Sequence, residues 1–66
     1  MIKVLIKYEN NKNSIIKEYR HFLNKEDFFD KFVKKYTEEN YSLEFNNNVF
    51  LILKKEENII RCLYIK

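Results

Sequence analysis

The sequence predicts an α+β fold of ββαβββ order: a five-stranded antiparallel sheet, strand order 2-1-5-4-3, with one helix packed on one face. Three observations lead there. Residues 23–36 carry the one apolar stripe at helical period, with Phe28, Phe32 and Tyr36 four residues apart and Phe29 and Val33 beside them. The segments before and after it alternate apolar and polar residues with the period of a strand. The stretches between segments are short, polar and rich in Asn, the residue that best tolerates left-handed geometry in a chain with no Gly.

In the first strand Ile2, Val4, Ile6 and Tyr8 share one face, and Lys3, Leu5 and Lys7 the other. The loop Glu9-Asn10-Asn11-Lys12-Asn13 follows, with Asn expected at any positive-φ position. Ser14 to Phe22 then returns as a second strand. Ile15, Lys17, Tyr19 and His21 lie on one of its faces and Ile16, Glu18, Arg20 and Phe22 on the other. Neither face is cleanly apolar, which suits an edge strand, because charged edges resist further pairing.

Asn24 is placed to cap the helix, with Asp27 three residues on as a short-armed capping box and Leu23 and Phe28 at staple positions. Asp27 with Lys31 and Asp30 with Lys34 are acid-to-base pairs four residues apart. Glu38 and Glu39 oppose the negative end of the helix dipole, so the helix is expected to stop near residues 37–39, with Asn40 as its left-handed stop.

Tyr41, Leu43 and Phe45 alternate with polar residues, and a turn at residues 46–48 would set Phe45 against Val49, Leu43 against Leu51 and Tyr41 against Leu53. A reversal at residues 55–58 would set Leu53 against Ile60, Leu51 against Cys62 and Val49 against Tyr64. The first and fifth strands are among the most apolar, which places them side by side. The opening hairpin and helix also resemble a ubiquitin-like β-grasp, which would set the last strand parallel to the first; the closing meander departs from that pattern.

Residues 1–66 make one domain, and a chain this short buries only roughly 60% of its unfolded surface. It lacks Gly, Pro, Ala and Trp and abounds in Lys, Asn, Ile, Tyr and Phe, the imprint of an AT-rich genome. The formal charge of +3 comes from thirteen bases interspersed with ten acids. A nucleic-acid footprint would need the bases gathered on one face. No apolar run approaches a membrane span, the start is too charged for a signal peptide, and one cysteine excludes an internal disulfide framework; cytoplasmic residence is expected.

Chemistry finds little to use. His21 is the lone histidine and is expected as an ordinary polar residue; Cys62 alternates with Ile60 and Tyr64 and is expected as a buried structural thiol. The paired acids Glu26-Asp27, Glu38-Glu39 and Glu56-Glu57 stand at element ends, where capping and solvation account for them. Without glycine there is no phosphate-cradling loop of the usual type. The chain is read as a non-enzyme with no catalytic residue, cofactor or metal.

One helix covers one face of a sheet. The other face is expected to carry Leu5, Phe50, Ile52, Ile59, Leu63 and Ile65 together with Lys3, Lys7, Glu44, Lys54 and Arg61, too apolar for a face that simply meets water. It is read as an interaction face for a protein partner or a sheet-to-sheet homodimer, with single-stranded nucleic acid as the alternative; an AT-biased composition that uses Ile and Phe where others use Thr, and a slipped register that buries some of these residues, are the competing explanations. In size, absence of motifs, mixed charge and AT-biased composition the chain resembles the very small inhibitors that phages encode, anti-CRISPR proteins among them. The resemblance implies inhibition of a host nucleic-acid-handling complex by direct binding, and transfers no site residues.

Overall fold

A computed structural model describes residues 1–66. In chain order it comprises β1 (Ile2–Glu9), β2 (Ser14–His21), α1 (Lys25–Glu38), β3 (Ser42–Asn46), β4 (Phe50–Lys55) and β5 (Asn58–Tyr64). The strands form one antiparallel sheet in the expected order β2-β1-β5-β4-β3. Because β5 runs antiparallel to β1, the β-grasp alternative is excluded.

The order follows from burial. Val4 and Ile6 on β1, Ile60 and Cys62 on β5, and Leu51 and Leu53 on β4 are buried on the helix side, whereas β2 and β3 are exposed along their whole length. Apolar strands gain most in the middle, where neighbours cover them laterally and the helix covers them from above. The helix adds Phe28, Phe29 and Phe32 to this core, and Leu23, Val33, Tyr36 and Tyr41 pack at its margin. Phe28, Phe32, Tyr36 and Tyr41 form a ladder of rings with successive centroids 5.7, 5.0 and 5.3 Å apart.

Asn24 caps the helix as expected: its Oδ1 accepts the Asp27 amide at 2.8 Å. The Asp27 carboxylate receives the Asn24 side-chain amide at 3.1 Å, and neither Asp27 with Lys31 nor Asp30 with Lys34 closes to an ion pair. Such exposed pairs gain too little to hold two flexible side chains in place. At the other end Asn40 takes φ 71°, the left-handed stop.

The β4–β5 hairpin keeps the expected register, Leu53 opposite Ile60 and Leu51 opposite Cys62, and the Tyr64 amide donates to the Val49 carbonyl at 2.7 Å. Its tight turn places Glu56 at φ 54°. No residue in the β1–β2 loop has positive φ. Asn10 Oδ1 instead accepts the Lys12 and Asn13 amides, both at 2.8 Å, and holds the turn through its side chain.

The β3–β4 register also differs. Leu43 lies opposite Leu53, Phe45 opposite Ile52 and Asn46 opposite Leu51, with a bulge between Leu43 and Phe45. Asn47 causes the displacement: its Oδ1 accepts the Val49 and Phe50 amides at 3.0 and 2.8 Å, and Asn48 takes φ 65° beside it, moving the reversal toward the C-terminus. A slip by an odd number of residues turns side chains to the opposite face. The bulge restores the parity for Leu43 and leaves Phe45 on the face away from the helix.

Candidate interaction face

The sheet face away from the helix is built in rows set by the strand registers. One row runs Glu18, Leu5, Leu63, Phe50; the next runs Ile16, Lys7, Arg61, Ile52, Phe45; a third runs Ser14, Glu9, Ile59, Lys54, Ser42. Lys3 stands opposite Arg20, and the chain end joins them where the Ile65 amide donates to the Lys3 carbonyl at 2.9 Å. Leu5, Phe50, Ile52, Ile59, Arg61, Leu63, Ile65, Lys3, Lys7 and Lys54, the residues expected on one face, are therefore brought together.

Besides Ser14 and Ser42, five further residues join them that the alternation of the sequence did not place there. Ile16, Glu18 and Arg20 arrive because the β1–β2 register pairs them with Lys7, Leu5 and Lys3. The signal was the hairpin loop: an Asn10–Asn13 closure, marked by the Asn10 amide donating to the Asn13 carbonyl at 2.9 Å, dictates this register. Glu9 follows from the alternation of β1. Phe45 arrives through the bulge, which nothing in the local alternation reveals.

In the middle of the face Lys3, Leu5, Lys7, Phe50, Ile52, Ile59 and Arg61 are half-buried even though no element covers them. Lysine and arginine stems lie along neighbouring apolar side chains and keep their charged ends in water. Leu5, Ile16, Phe50 and Leu63 with the stems of Lys7 and Arg61 surround a shallow hollow of about 190 Å³ whose walls are almost wholly carbon. At one side the Phe45 and Phe50 rings lie 6.2 Å apart.

Three of the five cations on this face have an acid beside them within it. Arg61 donates to the Glu9 carboxylate, Lys7 approaches the same carboxylate at 4.0 Å, and Lys3 pairs with Glu18 at 3.3 Å. The Arg61 hydrogen bond, aided by Lys7, holds the Glu9 carboxyl below its ordinary range. Ser42 donates to Glu44 at 3.3 Å, which brings that acid to the edge of the face. Arg20 and Lys54 have no acidic partner within 4.0 Å.

No protein-family model, curated protein or solved structure matches this chain. Function therefore rests on geometry.

The two residues with chemical potential lie apart from the face. Cys62 is fully buried on the helix side, and that burial pushes its thiol up to about 12, so the reactive thiolate is disfavoured at neutral pH. His21 stands on the exposed edge, where Nδ1 accepts the Leu23 amide at 3.1 Å and the ring lies 5.4 Å from Phe28. A cleft of about 210 Å³ opens between β2 and the helix, lined mainly by aromatic rings. Tyr8 and Tyr36 meet there hydroxyl to hydroxyl at 3.4 Å, and burial together with Tyr36 raises the Tyr8 phenol far above its ordinary range. The Tyr8 phenol is held neutral. No helix is long and apolar enough to cross a membrane.

Proposed function

We propose that this protein is a small non-catalytic binding module whose open sheet face docks on another protein, acting in the cytoplasm as an inhibitor of the kind phages and mobile elements direct against host nucleic-acid-handling complexes. The observation that carries this reading is the pairing of apolar surface with lateral charge compensation. A cation that already has an acid beside it can be covered by a protein partner without leaving a buried, unpaired charge. A phosphate backbone, by contrast, is bound best by cations free to meet it. The apolar hollow beside Leu63 and Phe50 suits an anchoring side chain of a partner.

A photo-crosslinking amino acid placed at Phe50 in cells that naturally produce the protein tests this directly. A protein adduct from position 50, absent when the same group replaces Lys31 on the helix and lost in a Leu63→Lys background, is the expected result. Equal labelling from both positions, or none from position 50, rejects the open face as the docking surface.

One observation favours a second reading. Phe45 joins Phe50 beside Lys54 and Arg61, giving the open face two neighbouring aromatic rings on which unpaired bases could stack, each stack contributing about 1–3 kcal/mol. Fluorescence anisotropy with a labelled single-stranded oligonucleotide separates the two. Binding that is measurable in about 20 mM salt and falls steeply as salt rises supports nucleic acid; no binding at low salt removes it.

A further inference from the structure

The outer edge of β2 is an eight-residue strand with no bulge and no proline, and all of its residues are exposed. Its unpaired peptide groups can be assigned. Asn10 and Asn13 form a hydrogen-bonded pair, and such pairs alternate along an antiparallel ladder. Ile15, Lys17, Tyr19 and His21 therefore direct their N–H and C=O groups toward β1, and Ser14, Ile16, Glu18 and Arg20 direct theirs outward. Ile16 on this edge is 63% exposed, and Phe22, in the bend that follows the strand, is 89% exposed, the highest among the large apolar residues. Arg20 has no ion-pair partner. An edge of this kind is a template for another strand.

We propose that the occupant is β2 of a second copy of this chain, paired antiparallel across a two-fold axis that passes through Tyr19. Cross-strand neighbours share a face, so a two-fold axis normal to a continuous sheet passes through a residue rather than between two. The sequence of the edge selects which residue. An axis at Lys17, Glu18 or Arg20 sets a like charge against itself. An axis at Ile16 sets Glu18 against Ser14 and leaves Arg20 beyond the overlap, beside the loop of the second copy and without an acid, and axes nearer Ser14 overlap too little strand.

The axis at Tyr19 sets Glu18 opposite Arg20 of the second copy and Arg20 opposite its Glu18, so two opposite-charge pairs form on the open face. It also brings Ile16 toward Phe22 of the second copy, in the bend that follows its β2, twice, and brings the two Tyr19 rings together on the helix side. The outward peptide groups of Glu18 and Arg20 find partners in this register. Opposite-charge and apolar cross-strand pairs are the units that stabilise a sheet, and like charges directly opposite destabilise it. The helix stands clear of the junction because it covers the middle strands and leaves β2 exposed. The product is a continuous ten-stranded sheet with both helices on one side and both open faces uncovered.

Sedimentation velocity of the full chain from about 5 μM to about 500 μM, a range suited to small interfaces, is the test. The expected result is a concentration-dependent doubling of mass. Arg20→Glu sets Glu18 against a second carboxylate twice and weakens association by roughly tenfold or more, while the charge-swapped E18R/R20E variant regains it. Ile16→Lys, at an exposed position that leaves the fold intact, also weakens it. Phe50→Lys leaves it unchanged. A monomer throughout the range, a dimer indifferent to Arg20→Glu, failure of the charge swap to restore association, or a dimer lost in Phe50→Lys each overturns the proposal.

Discussion

Single side chains set the chain's local geometry here because glycine is absent. Asn24 holds the first turn of the helix by accepting the Asp27 amide, so Asn24→Ala should cost about 1 kcal/mol and lower the melting temperature by roughly 4–8 °C, read by thermal circular dichroism. Glu56 shows the opposite case. Its φ of 54° crowds a side chain that gains nothing from the position, a strain of order 1 kcal/mol or more for a residue other than glycine. Glu56→Gly should therefore raise the melting temperature by a few degrees despite the added freedom of the unfolded chain, an increase of about 0.5–1 kcal/mol. Asn40 and Asn48 sit at the other two left-handed positions, where Asn is well suited. All three turns thus use residues a sequence can display, yet only two of them announce it.

The helix and the sheet hold each other through a few aromatic contacts. Phe29 is fully buried where the helix meets the sheet, and truncating it to alanine removes about 3–5 kcal/mol. A domain of this length holds only about 0.05–0.15 kcal/mol per residue, so Phe29→Ala should be largely unfolded at 37 °C in a urea titration followed by circular dichroism. Phe45 makes the informative contrast. Although it alternates with Leu43 as a core residue would, the bulge turns it to the open face, where it is 46% exposed. Phe45→Ala should therefore shift the urea midpoint little, by about 1 kcal/mol or less, whereas a core position would give a loss like that of Phe29. Edge strands β2 and β3 carry little of the core, which leaves their outward groups available for partners.

For the molecule as a whole, the titrating groups define a window of stability. The Glu9 carboxyl is held below its ordinary value by the Arg61 hydrogen bond and by Lys7, so its contribution is present above about pH 4.5 and is lost as pH falls through the depressed folded value. Cys62 and Tyr8 are raised by burial, and Tyr41 by burial with help from Tyr36 and Glu39. Their contributions are present below their ordinary values and are lost as pH climbs past about 9–10, because only the unfolded chain ionises freely there. Urea midpoints measured across pH should form a plateau from about 5 to 9 and fall on both sides, the alkaline side more steeply. Glu9→Gln should flatten the acid limb alone.

The sequence by itself determined the helix and its cap, the period-two faces of the central strands, the β4–β5 register, the strand order and the separation of an open apolar face from the covered one. These are consequences of side-chain periodicity and local hydrogen bonding, which are written in neighbouring residues. Only the tertiary structure decided that Phe45 leaves the core, that Ile16, Glu18 and Arg20 join the open face, and that Glu9 links Lys7 to Arg61 across fifty residues of chain. Those outcomes depend on where each turn closes and on the register that it sets. A displacement of one residue at an asparagine turn reverses every side chain beyond it, and no local pattern records the displacement until the strands are paired.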